Sequence, residues 1–222
     1  MGQTILTPQQ SQFLELVASE KQLTKSFYLT GGTALAEFYY QHRRSEDLDF
    51  FNPDTEVNQT ALEVFLRKNL SKVGVSEVKK TVFLGLVTYL LKFPNGQLLK
   101  IDFNYYPFLR IEPGKKYKGL TIDSVYDIAA NKLHTMFMKP RSRDFVDLYF
   151  ILTREKYSLD ELIIAAKTKF DWHIDKTTLA SQFIRVKDFP EEPLMLVPLD
   201  HQNMENFFLN LAKSLEADIF EK

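Results

Sequence analysis

The sequence has no cysteine at all. Disulfides, thiolate metal sites and cysteine nucleophiles are therefore excluded, and a cytoplasmic setting is the expectation. It also lacks a long apolar run. The longest, Val82 to Phe93, is interrupted by Gly85, Thr88 and Lys92 and falls well short of the ~20 residues a membrane helix needs. No membrane partner is expected. Nor is there an excess of one charge: 28 basic against 29 acidic residues leave a net charge of -1. The total does not call for a nucleic-acid partner, although a local basic patch on a neutral protein can serve one. The opening residues MGQTILTPQQ have no basic start followed by an apolar core, so no signal peptide is expected. Leu6 stands where a myristoylation motif requires Ser or Thr. There is no internal repeat and no low-complexity tract.

What is present suits an ordinary folded core. The chain has 222 residues, 45% of them hydrophobic, with 19 Phe and 10 Tyr. That length fits one large domain or two small ones sharing an interface. Thr7-Pro8 reads as the cap and first turn of a helix. Phe27-Tyr28-Leu29 reads as a short strand ended by Thr30-Gly31-Gly32, with a helix from Thr33 to Tyr40 leaving that turn. Asp47 to Phe51 alternates like a strand, and Asn58 to Leu70 has the 3.6-residue period of an amphipathic helix. Thr81 to Phe93 reads as one long β run, and Pro94-Asn95-Gly96-Gln97 as a hairpin into a returning strand, Leu98 to Asn104. Lys115 to Gly119 reads as a basic turn. Helical patterns follow at Ser124–Lys139, Arg143–Thr153, Leu159–Phe170, Thr177–Ile184 and Asn203–Phe220, with Phe189 to Pro198 as a connector. The expected fold class is α+β: a mixed sheet with flanking helices in residues 1–112 and a mainly helical region in residues 113–222.

Three carboxylates stand out. Asp47 and Asp49 are two apart on a strand, so they share one sheet face while Leu48 and Phe50 share the other. In Leu99-Lys100-Ile101-Asp102-Phe103-Asn104, the apolar residues again take one face, and Lys100, Asp102 and Asn104 take the opposite one. Paired carboxylates repel unless something offsets them, and Mg²⁺ prefers hard oxygen ligands of this kind. The bland reading is a solvated Asp-x-Asp. Gly31-Gly32-Thr33 has two readings as well. The glycines would let a phosphate approach the backbone, with helix N–H groups and the Thr33 hydroxyl as donors. Alternatively they form a tight turn with Thr33 as an N-cap. No Gly-Lys-Ser/Thr follows, so this is not a P-loop.

Together, Phe27-Tyr28-Leu29-Thr30-Gly31-Gly32-Thr33-Ala34-Leu35 and His42-Arg43-Arg44-Ser45-Glu46-Asp47-Leu48-Asp49-Phe50-Phe51 resemble the AbiEii/AbiGii toxin family of the DNA polymerase β-like nucleotidyltransferase superfamily. Asp127 to Leu133 and Arg141 to Tyr149 look like the family's second signature block. The resemblance implies a metal-dependent transfer of a nucleoside monophosphate from an NTP to an acceptor hydroxyl on RNA, tRNA or protein, with Mg²⁺ or Mn²⁺ as cofactor. It also implies a toxin role beside a cognate antitoxin. Gly31, Gly32 and Thr33 would hold the triphosphate, with Arg44 and Ser45 beside them. Asp47, Asp49 and Asp102 would bind metal, and Lys132 would lie near the phosphates. Arg143, Asp144 and Asp147 would support the site, with one of the two acids facing it.

Read from the residues alone, Lys132 stands at the edge of an apolar helix face and can snorkel to water. Arg143 and Asp147 are four apart and can simply pair. His42 and His134 are either general bases or satisfied structural residues. The competing functional readings are a catalytically silent nucleotide-, RNA- or protein-binding member of the same fold, and an antibiotic-modifying nucleotidyltransferase.

Overall fold

The computed structural model describes residues 4–220, with side chains as far as residue 215. Met1-Gly2, on which the myristoylation reading fell, lies outside the described residues. The chain forms two compact units. One comprises Met1–Leu109 and Pro113–Ser124; the other comprises Arg110–Glu112 and Val125–Lys222.

The first unit is an α/β layer built on a seven-stranded mixed sheet. Helix α1 (Pro8–Ser19) starts at Thr7, where the Thr7 hydroxyl accepts from Gln10 N and the Gln10 side chain accepts from Thr7 N. This reciprocal cap satisfies two amides that would otherwise lack partners. A short helix, α2 (Lys21–Ser26), leads into β1 (Tyr28–Thr30), which is buried throughout. Helix α3 begins at Gly31 rather than at Thr33, with Thr30 as its cap residue, and runs Gly31–Leu35. It then widens over Ala36–Tyr40, where Gln41 N reaches back to Ala36 O at 2.8 Å. Strand β2 is Leu48–Asn52, so Asp47 stands immediately before it rather than within it.

Helix α4 (Gln59–Asn69) is capped by Asn58, whose side chain accepts from Ala61 N. The expected single β run from Thr81 to Phe93 is instead a hairpin: β3 (Glu77–Phe83) and β4 (Leu86–Lys92) pair antiparallel. They are joined at Leu84 and Gly85, which both take positive φ. The two-residue turn lacks the usual Asn-Gly or Asp-Gly signature because a leucine occupies the first left-handed position. The second hairpin falls where Asn-Gly predicts it, between β4 and β5 (Leu98–Tyr105). Lys115 to Gly119 is also more than a turn: β6 (Lys116–Tyr117) and β7 (Leu120–Ile122) form a small hairpin there. The strand order is β3-β4-β5-β2-β1-β7-β6.

One face of this sheet is the core. Leu48, Phe50, Tyr89, Leu91, Ile101 and Phe103 are buried on it. Phe50 and Phe103 stack with centroids 5.1 Å apart, and Phe27 meets Phe103 edge-on. Helices α1 and α4 meet through an edge-to-face contact of Phe13 with Phe65.

The second unit is helical: α5 (Val125–Met138), α6 (Ser142–Arg154), α7 (Leu159–Phe170), α8 (Lys176–Ile184) and α9 (His201–Phe220). Phe145, Phe183 and Phe208 meet in its core, Phe208 lying 5.0 Å from Phe145 and 5.5 Å from Phe183 between centroids. Asp127 ties residues 110–112 into this unit by accepting from Ile111 N and Glu112 N, and it pairs with the fully buried Lys169 at 2.7 Å. Burial works to raise the Asp127 pKa, but Lys169 and the two amides outweigh it and hold it below the ordinary aspartate value. No described helix is long and apolar enough to cross a membrane.

Candidate active site

The face of the sheet opposite the aromatic core carries the acids. Strands β2 and β5 run parallel with Asp49 directly beside Asp102. Antiparallel pairing extends that row on both sides, placing Thr30 beside Asp49 and Thr88 beside Asp102. Residues in register across a sheet present side chains to the same face. The row Thr30–Asp49–Asp102–Thr88 therefore crosses four strands on one surface, although its two acids are 53 positions apart in the chain.

Asp102 is held from two sides. Thr88 Oγ1 donates to Asp102 Oδ1 at 2.6 Å. Lys100, two residues before Asp102 and so on the same face, ion-pairs with Asp102 Oδ2 and lies 3.8 Å from Asp47 Oδ2. Burial works to lower the Lys100 pKa, yet the bond to Asp102 and the charges of Asp47, Asp102 and Asp49 raise it above the ordinary lysine value. Among the described residues, no group of three or more acidic or imidazole side chains forms a ready-made metal cluster. Asp47 and Asp102 have an ammonium between them instead. The donor set nonetheless consists of hard carboxylate oxygens, the chemistry that Mg²⁺ and Mn²⁺ select. A cation is already accepted there, in the form of Lys100.

The glycine turn borders these acids. Gly31 has φ +73°, and a Cβ added there would collide with Asp49 Oδ2 and sit 3.2 Å from its carboxyl carbon. Side chains rarely take that backbone conformation. A Cβ on Gly32 would collide with Arg43 Nη2 and come within 3.0 Å of Ser45 Oγ. The glycines therefore leave room for Asp49 on one side and for a guanidinium on the other. Thr33 is fully buried and its hydroxyl donates to the Asp47 carbonyl. It fixes the chain where the acidic pair begins. Gln10 does similar work by donating from Nε2 to the carbonyls of Ser45 and Glu46 at 2.7 and 3.1 Å.

The two adjacent arginines divide. Arg43 is buried, lies under Gly32, and donates to the Arg44 carbonyl at 2.8 Å. Arg44 is exposed and reaches the Ile5 carbonyl. The sequence points to one of the adjacent arginines, with Arg44 the expected one, and gives Lys100 and Thr88 no role in the site. For Lys100 a signal was visible, since Lys-x-Asp on one strand face puts the two side chains together. For Thr88 none was, and nothing local decided between Arg43 and Arg44.

The remaining expected residues belong to the helical unit. Lys132 on α5 lies 2.7 Å from Asp144 Oδ1 and 2.7 Å from Asp147 Oδ2, both acids on α6. All three are buried. Asp144 also accepts from Arg141 N and Nε at 3.1 Å, closing the first turn of α6. Burial works to raise the Asp144 pKa, but Lys132 and Arg141 together hold it below the ordinary value. Arg143 is half-buried on α6. Of the two histidines considered as bases, His42 is fully buried against Tyr40. His134 stacks on Phe170 at 4.2 Å, and burial lowers its pKa.

The family model described as nucleotidyl transferase AbiEii toxin, Type IV TA system, matches residues 12–219. An uncharacterised protein of Aquifex aeolicus is 29% identical over 211 residues, covering 94% of this chain and 96% of its own. Two Helicobacter pylori crystal structures share the fold. A candidate nucleotidyltransferase superposes with TM-score 0.64 at 20% identity, covering 97% of this chain and 98% of that one. The protein JHP933 superposes with TM-score 0.60 at 19% identity, covering 97% and 95%.

Proposed function

We propose that this chain, which belongs to the AbiEii nucleotidyl transferase toxin family, moves a nucleoside monophosphate from an NTP to an acceptor hydroxyl and releases pyrophosphate. The observation that carries this reading is the in-register pairing of Asp49 with Asp102 beside the Gly31 turn. That pairing sets two acids side by side at a glycine turn, an arrangement that phosphoryl chemistry could use.

Asp47, Asp49 and Asp102 would hold Mg²⁺ or Mn²⁺. When bound, the metal lowers the pKa of the attacking hydroxyl and offsets charge on the triphosphate. The chain's own residues supply the rest. Gly31 and Gly32 let Asp49 and the Arg43 guanidinium lie against the turn, with Ser45 beside them, and the turn with Arg44 would receive the triphosphate. Thr33 and Gln10 anchor the segment that delivers Asp47. The acceptor oxygen attacks the α-phosphorus, the bond from that phosphorus to the bridging oxygen breaks, and pyrophosphate departs. Asp102 would take the hydroxyl proton once Lys100 has moved off it. Positioning and electrostatics dominate such chemistry.

The acceptor is a hydroxyl of RNA, tRNA or protein in the cytoplasm. The family description supports a toxin role with a cognate antitoxin as partner. The test is transfer of radiolabel from each NTP to total cellular RNA and protein. Wild type labels an acceptor. Asp49→Ala does not, while its circular dichroism spectrum matches wild type. Equal labelling by the variant overturns the assignment. Calorimetry showing NTP binding without pyrophosphate release would make the chain a silent binding member of the fold.

A further inference from the structure

We infer that Lys100 is an exchangeable counterion: its ammonium occupies the acidic cluster in the metal-free protein and must leave when a divalent cation enters. Three observations carry this. Lys100 pairs with Asp102 and stands 3.8 Å from Asp47, between two of the three carboxylates proposed as ligands. Its side chain is 41% exposed, so the ammonium is not locked in place by packing. The described acids form no metal cluster while it is there.

The physical reason is a conflict between folding and binding. Carboxylates gathered on one sheet face repel, and a chain that folds before it meets metal needs another positive charge to offset them. Asp102 is mostly buried, and its second oxygen is already taken by Thr88. A lysine two residues from it on the same strand face supplies that charge on a flexible four-carbon stem. The same charge then competes with the metal. Lys100 thereby stabilises the empty site and weakens metal binding, and its departure leaves Asp102 Oδ2 open to act. This inference rests on the nucleotidyl-transfer reading of the acids, and it makes Lys100 a positioning residue rather than a catalytic one.

The experiment compares wild type, Lys100→Met, Lys100→Arg and Asp49→Asn. Mn²⁺ binding is followed by the electron paramagnetic resonance signal of free Mn²⁺, and Tm is measured in EDTA and in Mn²⁺. Lys100→Met is expected to bind Mn²⁺ about tenfold more tightly, since it removes a competing unit charge roughly 4 Å from the acids. Its Tm falls in EDTA, and its rise on adding Mn²⁺ is larger than that of wild type. Lys100→Arg keeps the charge and stays within about threefold of wild type in affinity. Binding by Lys100→Met with none by wild type supports the inference more strongly still.

A merely structural ion pair would lower Tm and leave Mn²⁺ affinity unchanged. That result, or weaker binding by Lys100→Met, overturns the inference. If wild type binds Mn²⁺ and Asp49→Asn does not, but Lys100→Met matches wild type, only the counterion role falls. If neither wild type nor Lys100→Met binds Mn²⁺, the metal-site reading falls with it.

Discussion

Replacing Lys132 by methionine keeps an unbranched side chain, one atom shorter, and removes its charge. The ammonium lies 2.7 Å from oxygens of both Asp144 and Asp147, whose side chains are 1% and 0% exposed. A charge pair near 4 Å is worth about 4 kcal/mol at an effective dielectric of 20. Breaking a buried pair by removing one partner typically costs about 3–5 kcal/mol, because the other charge is stranded. Asp144 keeps its two bonds from Arg141, which holds the expected cost within that range rather than doubling it.

The pH dependence has a definite sign. The Asp144 pKa is depressed in the folded state. Its contribution is therefore present above the unfolded value of about 3.9 and is lost as pH falls through the lower folded value. In the variant the stranded carboxylates take up protons more readily, so the gap between variant and wild type narrows from pH 7 toward pH 4.5. Urea unfolding followed by circular dichroism at both pH values measures this. Adding Asp144→Asn and Asp147→Asn to the variant should recover most of the loss, since neutral side chains no longer need the ammonium. A loss under about 1 kcal/mol at pH 7, or a gap that does not narrow, would mean that Lys132 is not committed to these acids.

Gly31→Ala combines a left-handed backbone, worth about 1–2 kcal/mol against a side chain, with a collision against Asp49. Stability should fall by about 2 kcal/mol or more, and Mn²⁺ should bind more weakly because Asp49 has to move. Unchanged urea midpoint and unchanged Mn²⁺ titration would contradict the contact. Tyr89→Phe should raise stability by about 1 kcal/mol in the same urea assay. The Tyr89 hydroxyl is buried with no hydrogen-bond partner among the described residues, and burial pushes its pKa up to about 12. A destabilised variant would show that this oxygen has a partner after all.

Local patterns read well where local physics decides. Thr7 as the cap of α1 and Asn95-Gly96 between β4 and β5 both act through neighbours a few residues away. The helical tail was legible for the same reason, because apolar residues at a 3.6-residue period have one solution as a packed helix. The β3–β4 and β6–β7 hairpins were not legible. Their turns place Leu84 and Lys118 at positive φ, and it is strand pairing across the sheet that holds those residues there rather than any preference of their own.

Within the active site, the same division separates residue types from partners. The alternation around Asp49 and Asp102 determined by itself that each would oppose an apolar core face, because the side-chain period of a strand is two. Only the parallel pairing of β2 with β5 decided that Asp49 and Asp102 are neighbours, since register between distant segments is set by the whole sheet. Only tertiary packing chose Arg43 over Arg44 to lie against Gly32, and gave Lys132 to Asp144 and Asp147. A charged side chain is available to any partner in an unfolded chain, and which one it meets is settled by which groups burial brings within a few ångströms.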